Sequence, residues 1–342
     1  MRLKSQKKTF FAVVGLGHIG RRHVEMILRH EAAELVAVCD TNEDTYEAAL
    51  CGNVRFYTDI NTMFLLHADI EIVNICTPNG LHAAHTLLAL AANKHVVVEK
   101  PLTTRKSDAE QIIYTALNKA RHVFCVMQNR YSPPSQWIKT VVEQGVLGEI
   151  YMVQLNCFWN RDERYYTPNN WHGTAKFDGG TLFTQFSHFI DILYWLFGDI
   201  TNIQAKFRDF NHENLTDFED SGMVHFDFLQ GGCGVLNYST SVWNQNLESS
   251  MTIIAENGSV KIGGQYMNEV EYCHIKNYEM PTLAPTNAGN DYGAYKGSAQ
   301  NHHYVIHNII EVLQGNSSIA TNALEGLKIV DIIERIYQTK QS

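Results

Sequence analysis

The sequence predicts an α/β protein of two domains: an N-terminal domain with a doubly wound parallel sheet, and a C-terminal α+β domain with a large, mostly antiparallel open sheet. Apolar runs and helical patterns alternate over the first third of the chain, which is typical of βαβ units. A glycine-rich loop follows the first apolar run, and beyond residue 128 apolar positions alternate with a period of two. Such alternation indicates antiparallel strands with one covered face.

The first domain, residues 1–127, is predicted to contain six strands with helices between them. Continuous apolar runs rich in β-branched residues predict strands that are buried on both faces. These strands cover residues 9–14, 35–39, 54–57, 71–76, 95–98 and 122–127. Helical periodicity predicts helices from the glycine loop to residue 28 and over residues 41–50, 82–92 and 103–120.

The second domain, residues 128–342, is predicted from alternating strands and two turn signals. Strands are expected over residues 150–159, 222–229, 234–242, 251–255 and 259–262. Gln230-Gly231-Gly232 and Asn257-Gly258 are typical hairpin connections. Helices are expected over residues 180–197, 298–313 and 323–337, and a long loop over residues 279–297. We expect that the final helices can pack back on the first domain.

The loop at residues 15–20 has the spacing Gly-x-Gly-x-x-Gly between a predicted strand and a predicted helix. Gly15 permits the tight turn, Gly17 lets the backbone approach a pyrophosphate, and Gly20 lets helix and strand pack closely. The start of the helix supplies N–H donors and a partial positive charge. Asp40 ends the second strand, where it suits ribose hydroxyls and repels a 2′-phosphate. The sequence therefore predicts a Rossmann domain that binds NAD rather than NADP.

Two side chains later in the sequence are candidates for chemistry. Lys100 directly follows a predicted strand, at the sheet edge that faces the ligand crevice in open α/β folds. An oxidised nicotinamide nearby would lower the pKa of Lys100, so this side chain could orient a substrate hydroxyl. Alternatively, the lysine only marks where the strand reaches water.

His188 shares one stripe of an apolar helix with Thr184 and Asp191. It suits a general base, and the alternative is a structural histidine bonded to a neighbour.

Composition and charge exclude several classes of protein. The chain has 342 residues, of which 27 are basic and 36 acidic, and its net charge of −9 argues against binding to nucleic acids or anionic membranes. No apolar run approaches the length of a membrane-spanning helix, about 18 residues or more. The seven cysteines form no C-x-x-C pair, which favours reduced thiols in a cytoplasmic protein. His303 and His307 lie four residues apart, but nothing at ligand spacing completes a metal site, so no metal is expected.

In these features the chain resembles the glucose–fructose oxidoreductase/inositol dehydrogenase/MocA family over nearly its whole length. The resemblance rests on the glycine loop, on residues 77–82, on Glu99-Lys100-Pro101, on the helix with His188 and Asp191 after Gly179-Gly180, and on residues 323–337. It implies that Lys100 and His188 act in hydride transfer, and that the second sheet supports substrate binding and a homo-dimer or homo-tetramer. Many members have an aspartate where this chain has Thr184, so simple polyol dehydrogenases are a poorer model.

Residues 156–161 and 179–188 are more narrowly similar to bacterial nucleotide-sugar 3-dehydrogenases. This similarity implies oxidation at C3 of a UDP-N-acetylhexosamine or its uronic acid. Arg161 and Arg164 suit a diphosphate or a carboxylate, and nearby aromatic rings suit a sugar or uracil face. These rings belong to Trp159, Tyr165, Tyr166 and Trp171. The alternative for this segment is a sheet edge and a surface loop with aromatic packing.

Motifs and resemblance together predict the residues that contact cofactor and substrate. The cofactor residues are Gly15, Gly17, His18, Ile19, Gly20, Asp40, Thr77, Pro78, Asn79, His82, Glu99, Lys100 and Gln128. The substrate residues are Lys100, Arg161, Arg164, Tyr165, Trp171, Thr184 and His188.

The predicted function is that of an NAD-dependent oxidoreductase that transfers a hydride from a sugar hydroxyl to the nicotinamide. His188 would take the hydroxyl proton while Lys100 orients the oxygen. One alternative is a glycosidase that uses bound NAD for transient oxidation at C3, and another is a dehydrogenase of a free sugar or polyol. A catalytically silent NAD-sensing regulator is a third alternative, and the presence of both Lys100 and His188 counts against it.

Overall fold

The computed structural model describes residues 8–341, with gaps at 53, 168–169 and 294. The chain divides into two compact units. The first contains the residues up to Val126 together with His302–Leu327, and the second contains Met127–Asn301 together with the residues from Lys328 onward. The predicted boundary between residues 127 and 128 lies beside the first break, and it remains a prediction about independent domains.

A six-stranded parallel sheet forms the core of the first unit. Its strands are β1 (Thr9–Val14), β2 (Ala33–Cys39), β3 (Arg55–Tyr57), β4 (Ile72–Ile75), β5 (His95–Val98) and β6 (Val123–Cys125). Their order across the sheet is β3-β2-β1-β4-β5-β6, so the direction of winding reverses between β1 and β4. In open α/β sheets, ligands bind outside the carboxyl ends of the strands at such a reversal. The topology confirms the predicted fold class of this half.

Helices from both ends of the chain belong to the first unit. They are α1 (His18–Arg29), α2 (Ala48–Cys51), α3 (Ile60–Leu66), α4 (His82–Ala91), α5 (Lys106–Lys119) and α8 (His302–Leu313). Helix α8 contacts α1. Apolar residues spaced three and four apart give each of these two helices one buried face, with Val24 and Ile27 on α1 and Ile306 and Ile310 on α8.

Two helix predictions in this unit are wrong in detail. The helix expected over residues 41–50 is interrupted, with a 3₁₀ turn at Glu43–Thr45 and the short α2. The side chain of Asn42 accepts a hydrogen bond from the Asp44 N–H at 3.0 Å, and such local bonds compete with helix formation. Helix α5 begins at Lys106 with Arg105 at its cap position, not Thr103 as predicted, and the Thr103 hydroxyl donates to the Arg105 carbonyl at 2.8 Å. Helix α3 was not predicted; Asp59 caps it by accepting from the Thr62 N–H at 2.7 Å.

A seven-stranded sheet forms the core of the second unit. Its strands are β7 (Ile150–Phe158), β8 (Ile200–Arg208), β9 (Ser221–Phe228), β10 (Cys233–Ser239), β11 (Glu248–Ala255), β12 (Gly258–Gly263) and β13 (Glu269–Ile275). Their order is β13-β12-β11-β7-β10-β9-β8. Strand β10 pairs with β7 in parallel and all other neighbours are antiparallel. This confirms the predicted sheet and both predicted hairpins, whereas β8 and β13 were not predicted.

The rest of the second unit contains helices and a small additional sheet. Helix α6 (Pro133–Glu143), which was not predicted, contacts α7 (Ser187–Phe197). The loop predicted over residues 279–297 is wrong in part, because β14 (Gly289–Asp291) pairs with β15 (Lys296–Ala299). This pairing also explains why α8 begins at His302 rather than at residue 298. Helix α9 (Ala323–Gln338) is divided between the two units at Leu327. Among the described residues, no helix is both long and apolar enough to cross a membrane.

Candidate active site

The glycine loop has the shape that a dinucleotide requires. Gly15 has a φ of +90°, and a Cβ there would lie 2.6 Å from the Cys76 carbonyl oxygen; one on Gly20 would lie 1.8 Å from the Gly15 carbonyl oxygen. A Cβ on Gly17 would meet no described atom within 4 Å. Gly17 precedes α1, and among the described residues no side chain caps this helix. The loop therefore offers backbone N–H groups beside open space, which fits the pyrophosphate of NAD.

Asp40 is tied to the same loop by hydrogen bonds. Its Oδ2 accepts from the Leu16 N–H at 2.7 Å and its Oδ1 accepts from the Asn42 N–H at 2.9 Å. Each carboxylate oxygen has a further lone pair, so the side chain keeps the capacity to accept from ribose hydroxyls. The other predicted cofactor residues of this loop lie in the first turn of α1, where His18 is exposed and Ile19 is half-buried.

The remaining predicted cofactor residues of this unit follow neighbouring parallel strands. Thr77, Pro78 and Asn79 come after β4, and Glu99 and Lys100 come directly after β5. Because β1, β4 and β5 are adjacent and parallel, these residues lie at the same sheet edge as the glycine loop. Lys100 is half-buried there. The structure thus brings together, within one unit, every predicted cofactor residue except Gln128.

His82 holds two segments of this edge together. Its Nδ1 lies 2.7 Å from the Pro101 carbonyl oxygen and its Nε2 lies 2.8 Å from the Thr77 carbonyl oxygen. The side chain is buried, and burial lowers the pKa of His82 against the opposing effect of these two contacts. His82, which was predicted to bind the cofactor, therefore contacts the backbone of the segment after β4 and the backbone of the segment after β5.

Glu99 is surrounded by residues that the sequence reasoning missed. Its Oε1 lies 2.8 Å from Nε2 of His23 and 3.5 Å from Nε2 of His302, and its Oε2 accepts from the Lys100 N–H at 3.2 Å. Burial alone raises the pKa of Glu99, but the hydrogen bond from His23 and the nearby ring of His302 hold it well below its usual range. Glu99 is therefore an ionised carboxylate, buried directly before Lys100.

In the second unit, His188 lies on α7 behind an irregular segment. The helix predicted over residues 180–197 is confirmed but is irregular, because Leu182–Phe186 forms a π-helix before α7 begins. The Thr184 hydroxyl, within the π-helix, donates to the buried carboxylate of Asp178. Position 184, where many members of the family have an aspartate, therefore lies one hydrogen bond from the carboxylate of Asp178, a residue that sequence reasoning missed. His188 is buried.

Asp191, one turn further along α7, forms a buried ion pair. Arg130 donates to it through Nε at 2.8 Å and through Nη2 at 2.6 Å. Both side chains are buried, so the pair joins α7 to the segment Gln128–Tyr131. Gln128, a predicted cofactor residue, is also buried, and its carbonyl oxygen accepts from the Asn301 side chain at 3.2 Å.

Arg161 is a buried cation among neutral partners. Its side chain is 2% exposed and donates to the Gln185 side chain at 2.8 Å and to the carbonyl oxygens of Asn160 at 2.6 Å and Lys296 at 3.1 Å. Within the described part of the chain, none of its hydrogen bonds reaches a carboxylate. Burial lowers the pKa of Arg161. A buried guanidinium without a counterion favours the approach of an anion.

The other predicted substrate residues surround Arg161 or lie at the surface. Tyr165 stacks 5.2 Å from the guanidinium, and its hydroxyl accepts from the Gln185 side chain at 2.9 Å. Arg164 is exposed and pairs at 2.7 Å with Asp162, whose pKa this hydrogen bond lowers to about 2. Trp171 stacks on His172 with ring centroids 3.9 Å apart. Arg161 and Tyr165 are thus packed into one cluster, whereas Arg164 is already paired with a carboxylate.

Two groups of described side chains have the composition of metal ligands. The first is His23, Glu99 and His302, and the second is Asp209, His212 and Asp220; within each, the ligand atoms lie within 4.8 Å of one another. Neither group contains His303 or His307, the pair that the sequence singled out. The expectation that the protein binds no metal remains a prediction.

Comparisons with known proteins match both units. A model of the GFO_IDH_MocA oxidoreductase family with an NAD-binding Rossmann fold matches residues 10–127, and a GFO/IDH/MocA C-terminal domain model matches residues 135–261. The WlbA dehydrogenase of Bordetella pertussis, solved with NADH and UDP-GlcNAcA, is 30% identical with a TM-score of 0.86; the match covers 98% of this chain and 97% of that one. WlbA of Chromobacterium violaceum, solved with the same ligands, is also 30% identical with a TM-score of 0.86, over 100% and 97% of the two chains.

Similarity to a curated relative is more local. D-glucoside 3-dehydrogenase of Escherichia coli is 33% identical over 144 residues, which is 41% of each chain. Similarity to the two WlbA structures, in contrast, extends over nearly the whole chain and includes both units.

Proposed function

Since the chain belongs to the GFO/IDH/MocA family and is an NAD-dependent oxidoreductase, we propose that it oxidises C3 of a UDP-N-acetylhexosamine or, above all, of its uronic acid. The observation that carries this proposal is the similarity over nearly the whole chain to two dehydrogenases that were solved with UDP-GlcNAcA. The dehydrogenase of a free sugar is the competing assignment, because the Escherichia coli relative is named for a D-glucoside, a substrate class that requires no nucleotide.

Lys100 and His188 divide the proton chemistry of this reaction. When bound, NAD supplies the acceptor for the hydride that leaves the sugar carbon. The Lys100 ammonium donates a hydrogen bond to the sugar hydroxyl and orients its oxygen. His188 accepts the hydroxyl proton as general base, a role that imidazole fills near neutral pH. The protein thereby contributes orientation and a positioned base.

Arg161 supports an anionic substrate. The buried guanidinium has neutral hydrogen-bond partners, so a carboxylate or diphosphate near it would gain a charge-assisted interaction that no described residue already provides. We expect a uronic acid to be preferred over the corresponding neutral hexosamine because only the former carries the additional carboxylate.

The test is a substrate screen that follows NADH formation without an acceptor and formation of the oxidised sugar with one. UDP-GlcNAcA, UDP-GlcNAc, UDP-glucose, glucose and myo-inositol are each incubated with enzyme and NAD⁺, with and without a keto-acid acceptor to regenerate retained cofactor. We expect UDP-GlcNAcA to give the highest kcat/KM. Faster oxidation of a free sugar, or release of aglycone from an aryl glycoside without net NADH, would replace the proposal by one of its alternatives.

We further propose that the protein is a homo-oligomer that works in the cytoplasm. Met152 pairs in register with both Ile254 and Cys233 on the seven-stranded sheet, and all three side chains are exposed. A second copy of the chain would cover these neighbouring apolar side chains, and Met152→Glu should then disrupt the oligomer and lower the molar mass of the particle measured by light scattering. All seven cysteines, each within the described residues, are free thiols, which suits a reducing compartment.

A further inference from the structure

Three elements distant in sequence meet at one buried carboxylate in the first unit. His23 comes from α1, Glu99 from the end of β5 and His302 from the start of α8. The two imidazoles are 1% exposed and Glu99 is 6% exposed. The rings of the two histidines lie edge to face, with centroids 5.5 Å apart. The motif reading of the sequence used Glu99 but gave neither histidine a role.

The hydrogen bonds determine where the protons lie. The Asn74 amide donates to Nδ1 of His23 at 2.7 Å, so His23 carries its proton on Nε2 and donates it to Oε1 of Glu99 at 2.8 Å. Nε2 of His302 lies 3.5 Å from the same oxygen. The Lys100 N–H donates to Oε2 at 3.2 Å. The N–H of His23 on one oxygen, with the His302 ring beside it, and the backbone N–H of Lys100 on the other keep the buried carboxylate ionised.

This arrangement is unsuited to a metal ion even though its composition resembles a ligand set. A histidine that binds a metal through Nε2 carries its proton on Nδ1 and donates it to an acceptor. Nδ1 of His23 instead faces the donor nitrogen of Asn74. Nε2 of His23 and Oε1 of Glu99 are also separated by a hydrogen-bond distance with the proton between them.

We propose that His23 and His302 are positioning residues for Lys100. His23 holds one oxygen of Glu99 by a hydrogen bond, and the ring of His302 lies against the same oxygen. The other oxygen accepts from the backbone N–H of Lys100, which fixes the direction in which the lysine side chain leaves the sheet edge. The inference rests on the proposed function of Lys100. It assigns α8 a part in catalysis, because a helix contributed by the far end of the chain supplies His302.

The test compares two substitutions of His302 with a control on the same helix. His302→Leu removes the ring nitrogens, His302→Gln restores a side-chain N–H, and His307→Leu alters an exposed residue whose contact is with His30. We expect His302→Leu to lower kcat by about 10-fold or more, as small misplacements of a reacting group do, with the KM for NAD⁺ and the melting temperature near those of the unchanged protein. His302→Gln should recover most of the rate, and His307→Leu should leave it unchanged.

A double-mutant cycle shows whether the effect passes through Lys100. In a Lys100→Met background, His302→Leu should change the residual rate by less than about twofold, because coupled residues are not additive. The positioning role would be overturned by an equal loss in both backgrounds or by an unchanged kcat in His302→Leu. It would also be overturned if that variant no longer bound NADH and had a much lower melting temperature. If Lys100→Met itself retains the full rate, it is the proposed function of Lys100 that fails.

Discussion

At the scale of single residues, the division of labour between Lys100 and His188 can be measured directly. Lys100→Met and His188→Asn each remove one group that we propose acts on the substrate hydroxyl, and neither alters the glycine loop. We expect each variant to bind NADH normally, as followed by fluorescence titration, and to lose about 10²–10⁴-fold in kcat, the usual contribution of a positioned acid or base. Rates close to normal in both variants would contradict the assignment.

We propose that the choice between NAD and NADP depends on Asp40. Its carboxylate lies against the glycine loop, on the Leu16 N–H, where it would repel the 2′-phosphate of NADPH. We expect NADH to raise the melting temperature, because a ligand that binds only the folded state stabilises it, and NADPH to have little effect. Asp40→Ser should reduce this difference between the two cofactors. An equal shift with both cofactors in the unchanged protein would contradict the role of Asp40.

Sequence reasoning predicted residues whose role follows from local spacing and missed those whose partners are distant. Gly15 and Gly20 were predicted because a tight turn and a close helix contact depend on a few consecutive residues. His23 and Glu99 are 76 positions apart, and only the order of strands in the sheet brings them together. Arg161 was predicted from a resemblance and from its residue type, and its burial among neutral partners became visible only in the folded chain.

At the scale of secondary structure, the attachment of α7 depends on a buried ion pair. Asp191→Asn leaves the Arg130 guanidinium without its carboxylate, and breaking a buried pair typically costs about 3–5 kcal/mol. Urea unfolding should show a loss of this size. Glu143→Gln, which removes an exposed partner of Lys139, is the matched control and should cost less than about 1 kcal/mol. Similar losses in the two variants would show that burial of the Arg130 pair is unimportant.

Periodicity predicted most elements but could not predict their irregularities. The apolar pattern of residues 180–197 fits an α-helix, yet Leu182–Phe186 is π-helical, and Thr184 within it is bonded to Asp178. A bond to a residue outside the helix is invisible to a pattern within it. The sheet strands were easier to predict, because strict alternation follows directly from one covered face, although β8 and β13 were missed.

At the scale of the whole molecule, buried carboxylates make stability depend on pH. The pKa of Glu99 in the folded state lies well below its ordinary value of 4.5, so its contribution is fully present above that value and is lost as the pH falls below it. We therefore expect the free energy of unfolding, measured with urea, to decrease on acidification through this range. The decrease should be smaller in Glu99→Gln, and an identical pH dependence in both proteins would contradict the prediction.

Because α8 belongs to the first unit although it comes late in the sequence, this unit cannot complete its folding early in synthesis of the chain. Helix α8 contacts α1, and its buried apolar face belongs to the unit that begins with β1. A ribosome must therefore release His302–Leu327 before the nucleotide-binding half can complete its packing. Until then, the part of α1 that contacts α8 is exposed on the nascent chain and available to chaperones. A gene fragment that stops at residue 127 would leave this surface permanently uncovered, so we expect its product to aggregate.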